Sequence, residues 1–217
     1  MNSTIRLTAK ILLVCMMVGT LAVPAYATET TETPNATVVD FNETVEATET
    51  ETESVFDKVP RYYQNDYPKT KYGSGVLKDN GCGITSLAMV VSYLAGEEIK
   101  PDDLAELVDD YRGGLMSRML YAADTIGLKY EKTYSWKKTY EALENGKVCI
   151  ALMHEGSPFT DSQHFVVLCG VTEEGRVVVN DPWKPNYKKM PKRLKEMGFK
   201  PEQIDSGFSG AWIFDKP

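Results

Sequence analysis

The chain has 217 residues, 24 Lys and Arg against 31 Asp and Glu, a net charge of −7 and 42% hydrophobic residues, an ordinary globular mixture. The acidic balance argues against a nucleic-acid binder, which neutralises phosphates with a basic surface. Four cysteines without C-x-x-C spacing and two histidines without H-E-x-x-H disfavour zinc ribbons, zinc fingers, thioredoxin-type motifs and zincin proteases, and four cysteines are too few for a disulfide scaffold of this size.

Arg6 and Lys10 precede an apolar stretch from Ile11 to Val23, and Ala25-Tyr26-Ala27 offers a small-x-small cleavage site. Residues 1–27 therefore read as a secretory signal peptide, too short in its apolar run for a comfortable transmembrane span. Its cleavage would remove Cys15 and leave no stable membrane span, so the mature protein is expected outside the cell, secreted or associated with its surface. Residues 28–54 hold eight acids and no Lys or Arg, as in Glu49-Thr50-Glu51-Thr52-Glu53. Such a Thr/Glu-rich segment buries too little apolar surface to offset chain entropy and is expected to be a disordered linker. The acidity of the whole chain belongs to this linker, and the domain at 55–217 carries −1.

Within that domain Ile84, Leu87, Ala88 and Val91 repeat at helical spacing until Gly96, predicting an amphipathic helix that begins near Gly83. Pro101 and two aspartates open a second helix with Leu104, Leu107, Val108 and Tyr111 on one face. Leu115, Met119, Ala122 and Ile126 mark a third, ended by Gly127. Trp136, Tyr140 and Leu143 mark a fourth, ended by Asn145-Gly146. The period then changes: Val148 to Met153, Phe165 to Val171 and Val177 to Val179 read as strands, with a turn at Glu174-Gly175, and Ala211 to Phe214 as a last strand. No internal repeat is present. Helices ahead of a mostly antiparallel sheet give the class α+β, in one domain.

The sharpest local pattern is Asn80-Gly81-Cys82-Gly83-Ile84. A cysteine at a helix start meets partial positive charge and free N–H groups, which favour a thiolate and can stabilise an oxyanion. The flanking glycines would let a substrate backbone approach the sulfur. Read alone, the same pattern suits a buried structural cysteine. A thiolate also needs a base able to protonate a leaving group, and only His154 and His164 are available. His164 opens a strand and is rigidly held, whereas His154 lies in the loop Glu155-Gly156-Ser157-Pro158. Asp181 follows the next strand, so in a hairpin it falls beside His164 and can orient the imidazole.

Cys-Gly at a helix start, His164-Phe165-Val166-Val167 on a strand and Val179-Asn180-Asp181-Pro182, in that order, resemble the papain-like cysteine peptidases. Within them the chain is similar to the peptidase C-39-like family, related to domains that trim bacteriocin leader peptides. Val59-Pro60-Arg61-Tyr62-Tyr63-Gln64 is similar to that family's opening segment, and the likeness covers nearly all of Val59 to Trp183. The resemblance implies a papain-like fold in a bacterial protein, with N-terminal helices packed on a mostly antiparallel sheet. It implies Cys82 as nucleophile, His164 as general base and acid, Asp181 as the orienting residue, and Gln64 as a side-chain donor to the oxyanion. Ile84 stands where such motifs often have proline.

The function expected is a secreted cysteine peptidase that hydrolyses peptide or isopeptide bonds in a peptide or protein substrate, with no cofactor and no metal. Two alternatives stay open on the same fold: acyl transfer or cell-wall peptide amide cleavage by the same triad, and a non-catalytic binding module. Nothing in the sequence sets the oligomeric state. Cys149 and Cys169 lie in adjacent predicted strands and read as small buried hydrophobes, with a cross-strand disulfide as the alternative. The six basic residues between Lys184 and Lys195 read as a solvated face.

Overall fold

The computed structural model describes residues 54–215. The expected signal peptide and acidic linker lie outside the described residues, apart from Ser54. The described chain opens with an extended segment and one 3-10 turn, Gln64–Asp66. A short antiparallel ribbon follows, β1 (Lys71–Tyr72) and β2 (Gly75–Val76). The helix α1 (Leu77–Asn80) stops at Gly81, and α2 (Cys82–Ala95) begins with Cys82 itself. Gly96, at φ 69°, ends α2 with its N–H on the Ser92 carbonyl, a left-handed stop that glycine adopts without strain. Every residue of α2 from Gly83 to Ser92 is buried, so the expected helix is present but is buried all round at the centre of the core and not amphipathic.

The helix α3 (Pro101–Leu107) is shorter than its apolar pattern. Asp109 and Asp110 would put two negative charges at the carbonyl end of a longer helix, where the dipole disfavours them. The chain turns instead, yet Val108 is fully buried and the Tyr111 ring stacks on Tyr121 at 4.5 Å. Next come α4 (Leu115–Thr125), β3 (Tyr130–Thr133) and α5 (Trp136–Glu144), the last capped by the Ser135 hydroxyl accepting from the Lys138 N–H. The strands β4 (Val148–Met153), β5 (His164–Val171) and β6 (Val177–Asn180) follow. Three short helices, α6 (Lys184–Lys189), α7 (Lys192–Met197) and α8 (Pro201–Asp205), lead into β7 (Phe208–Phe214).

The larger sheet has the order β3-β7-β4-β5-β6, antiparallel throughout. Both faces are covered, which is why β4 is buried at all six positions and reads as a continuous apolar run. Val148, Ile150, Leu152, Phe165, Val167 and Trp212 face the layer of α2, α3 and α4. Cys149, Ala151, Val166, Leu168 and Ile213 face a second cluster with Leu143 of α5, Phe159, Phe199 and Ile204. Cys169 is an extra residue between the pairs Leu168↔Val179 and Gly170↔Val178, a bulge that turns Val171 onto the second face. The class is α+β, as expected, with two departures: β3 and α5 interleave helix and strand, and α6 to α8 divide the hairpin from the last strand.

Candidate active site

Cys82 is held by tight packing on both sides. A Cβ on Gly81 would lie 2.4 Å from the Leu77 carbonyl oxygen, so only glycine fits between α1 and α2. A Cβ on Gly83 would meet Met119 Sδ and Phe165 Cδ2, both at 3.3 Å. The two glycines thus serve helix packing, where the sequence suggested room for a substrate. Gly83 seats the start of α2 directly on β5, the strand that carries His164.

His164 pairs with Met153 of β4 and is buried. Its Nε2 donates to Asp181 Oδ1 at 2.7 Å, and the imidazole also hydrogen-bonds the Cys82 thiol. With Nε2 held by Asp181, Nδ1 is left to face Cys82. Burial alone would push the thiol up. The hydrogen bond and charge of His164, with backbone hydrogen bonds at Phe165 and Gly83, outweigh it and leave Cys82 below the ordinary thiol value. Burial alone would lower His164, but the hydrogen bonds and charges of Asp181 and Cys82 raise it to about 9. The two shifts are coupled, since each group favours the charged form of the other. Burial first, then the electrostatic influence of Cys82, push the Tyr72 phenol up.

Asp181 follows β6 and is 1% exposed. Besides His164, its Oδ1 accepts from the Trp183 N–H at 2.7 Å, and its Oδ2 accepts from Asn186 Nδ2 at 2.8 Å. The segment around it is laced to the start of the domain. Arg61 donates to Asn180 Oδ1, Gln64 N–H to the Pro182 carbonyl at 2.9 Å, and Lys184 N–H to Asn65 Oδ1 at 2.9 Å. Lys184 also pairs with Asp66, and the Arg61 guanidinium lies 4.3 Å over the Tyr187 ring.

Cys82, His164 and Asp181 are therefore brought together as the sequence order suggested. Gln64 is buried in the 3-10 turn, and its Nε2 donates to the Lys78 carbonyl at 2.8 Å, which ties it to α1 just before Cys82. That bond uses one of its two amide hydrogens. His154 follows β4, with its backbone N–H on the Gly207 carbonyl at 2.8 Å. Cys149 and Cys169 are free and buried, on opposite faces of the sheet, which excludes the disulfide alternative. Burial pushes both thiols up to about 12, so they are inert beside Cys82. Arg61, Asn180 and Asn186 carry the frame around Asp181 without having been assigned a role from the sequence. The only signal was their place inside or beside the quoted motifs.

The sequence pattern of the Peptidase_C39 like family matches residues 56–203. The chain belongs to that family. Membership in the Peptidase_C39 like family brings with it a cysteine peptidase fold and agrees with the α+β architecture found here. Among solved structures, the peptidase domain of Streptococcus ComA, a bi-functional ABC transporter involved in a quorum sensing pathway, is 19% identical over 64% of this chain and 93% of that one, with a TM-score of 0.45. A protein described as a C39-like peptidase from Bacillus anthracis is 18% identical over 73% of this chain and 95% of that one, with a TM-score of 0.44. No curated protein matches the chain. Among the described residues, no helix of this C39-like chain is long and apolar enough to cross a membrane, and no group of three or more His, Cys, Asp or Glu is placed to hold a metal ion.

Proposed function

We propose that this protein is a cysteine peptidase that hydrolyses peptide or isopeptide bonds through Cys82, His164 and Asp181. The observation that carries the reading is the continuous chain from a thiol at a helix start, through a buried imidazole, to a fully buried carboxylate. The Cys82 thiolate attacks the carbonyl carbon, and the electron pair of the C=O bond moves to oxygen. The Cys82 N–H at the start of α2 and the second amide hydrogen of Gln64 are the donors proposed for that oxyanion. As the C–N bond breaks, His164 Nδ1 gives its proton to the leaving amine. Neutral His164 then takes a proton from water, which attacks the thioester and releases the acid and the thiolate. Asp181 stays ionised and keeps Nε2–H engaged, so that Nδ1 faces the sulfur throughout.

The setting proposed is outside the cell, on the strength of Arg6, Lys10, the apolar stretch from Ile11 and Ala25-Tyr26-Ala27. The test is to profile hydrolysis of a peptide library beside purified peptidoglycan, with Cys82→Ala as control. New peptide termini that depend on Cys82 are expected. Amide products only in the presence of an added amine would replace hydrolysis by acyl transfer. No turnover of either material would favour a binding module.

A further inference from the structure

Asn186 sits in the third position of α6, where neither the apolar pattern nor the triad calls for an amide. Its Nδ2 lies 2.8 Å from Asp181 Oδ2 and 2.7 Å from the Phe159 carbonyl oxygen. A carboxylate and a backbone carbonyl can only accept, so the NH2 group must face them, and both of its hydrogens are used. The amide orientation is thus fixed by its partners. The Asp181 carboxylate can rotate about its Cβ–Cγ bond, and Oδ1 alone carries the bond to His164. The hydrogen bond on Oδ2 stops that rotation. The second hydrogen pins Phe159, in the connection between β4 and β5 that delivers His164.

We infer that Asn186 is a positioning residue for the Asp181–His164 pair, one amide that fixes both the orienting carboxylate and the approach to the strand bearing the base. The inference rests on the triad reading above. The groups with charge facing His164 are Asp181 and Cys82, and those on Asp181 are His164 with the neutral donors Trp183 N–H and Asn186. A loosened carboxylate supports the imidazolium less well, and the imidazolium then supports the thiolate less well. The pH window in which the thiolate–imidazolium pair exists therefore narrows from both sides. A donor that merely drew charge from Asp181 would act in the opposite sense, since its loss strengthens the carboxylate and widens the window.

The experiment follows the rate of Cys82 alkylation by iodoacetamide against pH, which needs no substrate, in wild type, Asn186→Ala, Asn186→Leu and His164→Ala, with the melting temperature of each. Asn186→Leu keeps the volume but brings neither donor nor charge, so it isolates the lost hydrogen bonds from the lost packing. Positioning expects the low-pH inflection, where the thiolate forms, to rise and the high-pH inflection, where His164 loses its proton, to fall, each by about one pH unit in both variants, the worth of one charge-assisted hydrogen bond. A wild-type window that both variants leave in place or widen, even at a lowered melting temperature, overturns the role of Asn186 alone. A wild-type protein without a low-pH thiolate, indistinguishable from His164→Ala, overturns the triad reading and this inference with it.

Discussion

Arg61 donates through both Nε and Nη2 to one acceptor, Asn180 Oδ1, at 2.9 and 2.7 Å, across 119 residues of chain. Asn180 is fully buried and returns its own amide to the Val59 carbonyl at 2.9 Å, so the residue before Asp181 is fixed by the first segment of the domain. Arg61→Lys keeps the charge but loses the fork and the stacking on Tyr187. It is expected to cost about 1–3 kcal/mol in urea unfolding and to lower kcat more than it raises KM. An unchanged unfolding midpoint would remove this clamp from the account.

The pH dependence has a defined sign. Turnover needs thiolate and imidazolium together, so its acid limb follows the lowered Cys82 thiol and its alkaline limb follows His164, near the value of about 9. The folded value of His164 lies above its unfolded value of about 6.5, so protonation of the ring favours the folded state. That contribution is complete below the unfolded value and is lost as pH rises through about 9. An alkaline limb of kcat/KM near the unfolded imidazole value would contradict the pairing.

Thiol reactivity should single out one cysteine. Cys82 is expected to react with iodoacetamide at limiting reagent near pH ~6, while Cys149 and Cys169, buried on opposite sheet faces, stay unlabelled until the protein unfolds. Peptide mapping reads the adducts. Comparable labelling of Cys149 or Cys169 would undo the assignment.

Asp181→Asn should keep the fold but lower kcat by on the order of a hundredfold or more, because an amide can hold the wrong imidazole tautomer. His164→Ala should abolish turnover, and His154→Ala should be nearly silent in steady-state assays. The reverse order for the two histidines would mean a different base.

The two glycines beside Cys82 should differ in kind. Gly81→Ala forces a Cβ onto the backbone oxygen of Leu77, which cannot give way, and is expected to destabilise by about 2–3 kcal/mol. Gly83→Ala meets only side chains and should cost less stability. It should nonetheless slow turnover by lifting the start of α2 off Phe165. Thermal melts beside kcat separate the two effects, and a Gly83→Ala variant of wild-type rate would refute the second.

Cys82, His164 and Asp181 were legible because each stands at a boundary that sequence marks well: glycine before a helix, polar residue before a β-branched run, Asn-Asp-Pro after one. The strands β4 and β5 were legible as uninterrupted apolar runs. The strand β3 was not, because Tyr130-Glu131-Lys132-Thr133 is a charged edge that pairs only with β7 and alternates with no apolar face. The helices α6 and α7 bury no residue, so they impose no period, although Lys184-Pro185 and Pro191 mark their starts. The contacts of Arg61 with Asn180 and of Asn186 with Asp181 are polar and satisfied only in three dimensions, and no local spacing announces them.

Cys82 and His164 belong to different layers, and Gly83 against Met119 and Phe165 is the joint between them. No covalent link spans the gap from sulfur to imidazole. Its width is set by how firmly one buried helix is pressed on one strand, and van der Waals contact weakens within fractions of an ångström. Mild loosening would therefore part the reacting atoms while the sheet and its ladder remain whole. Loss of the proposed activity should run ahead of unfolding as denaturant rises, making turnover a more sensitive gauge of that joint than any spectroscopic measure of secondary structure.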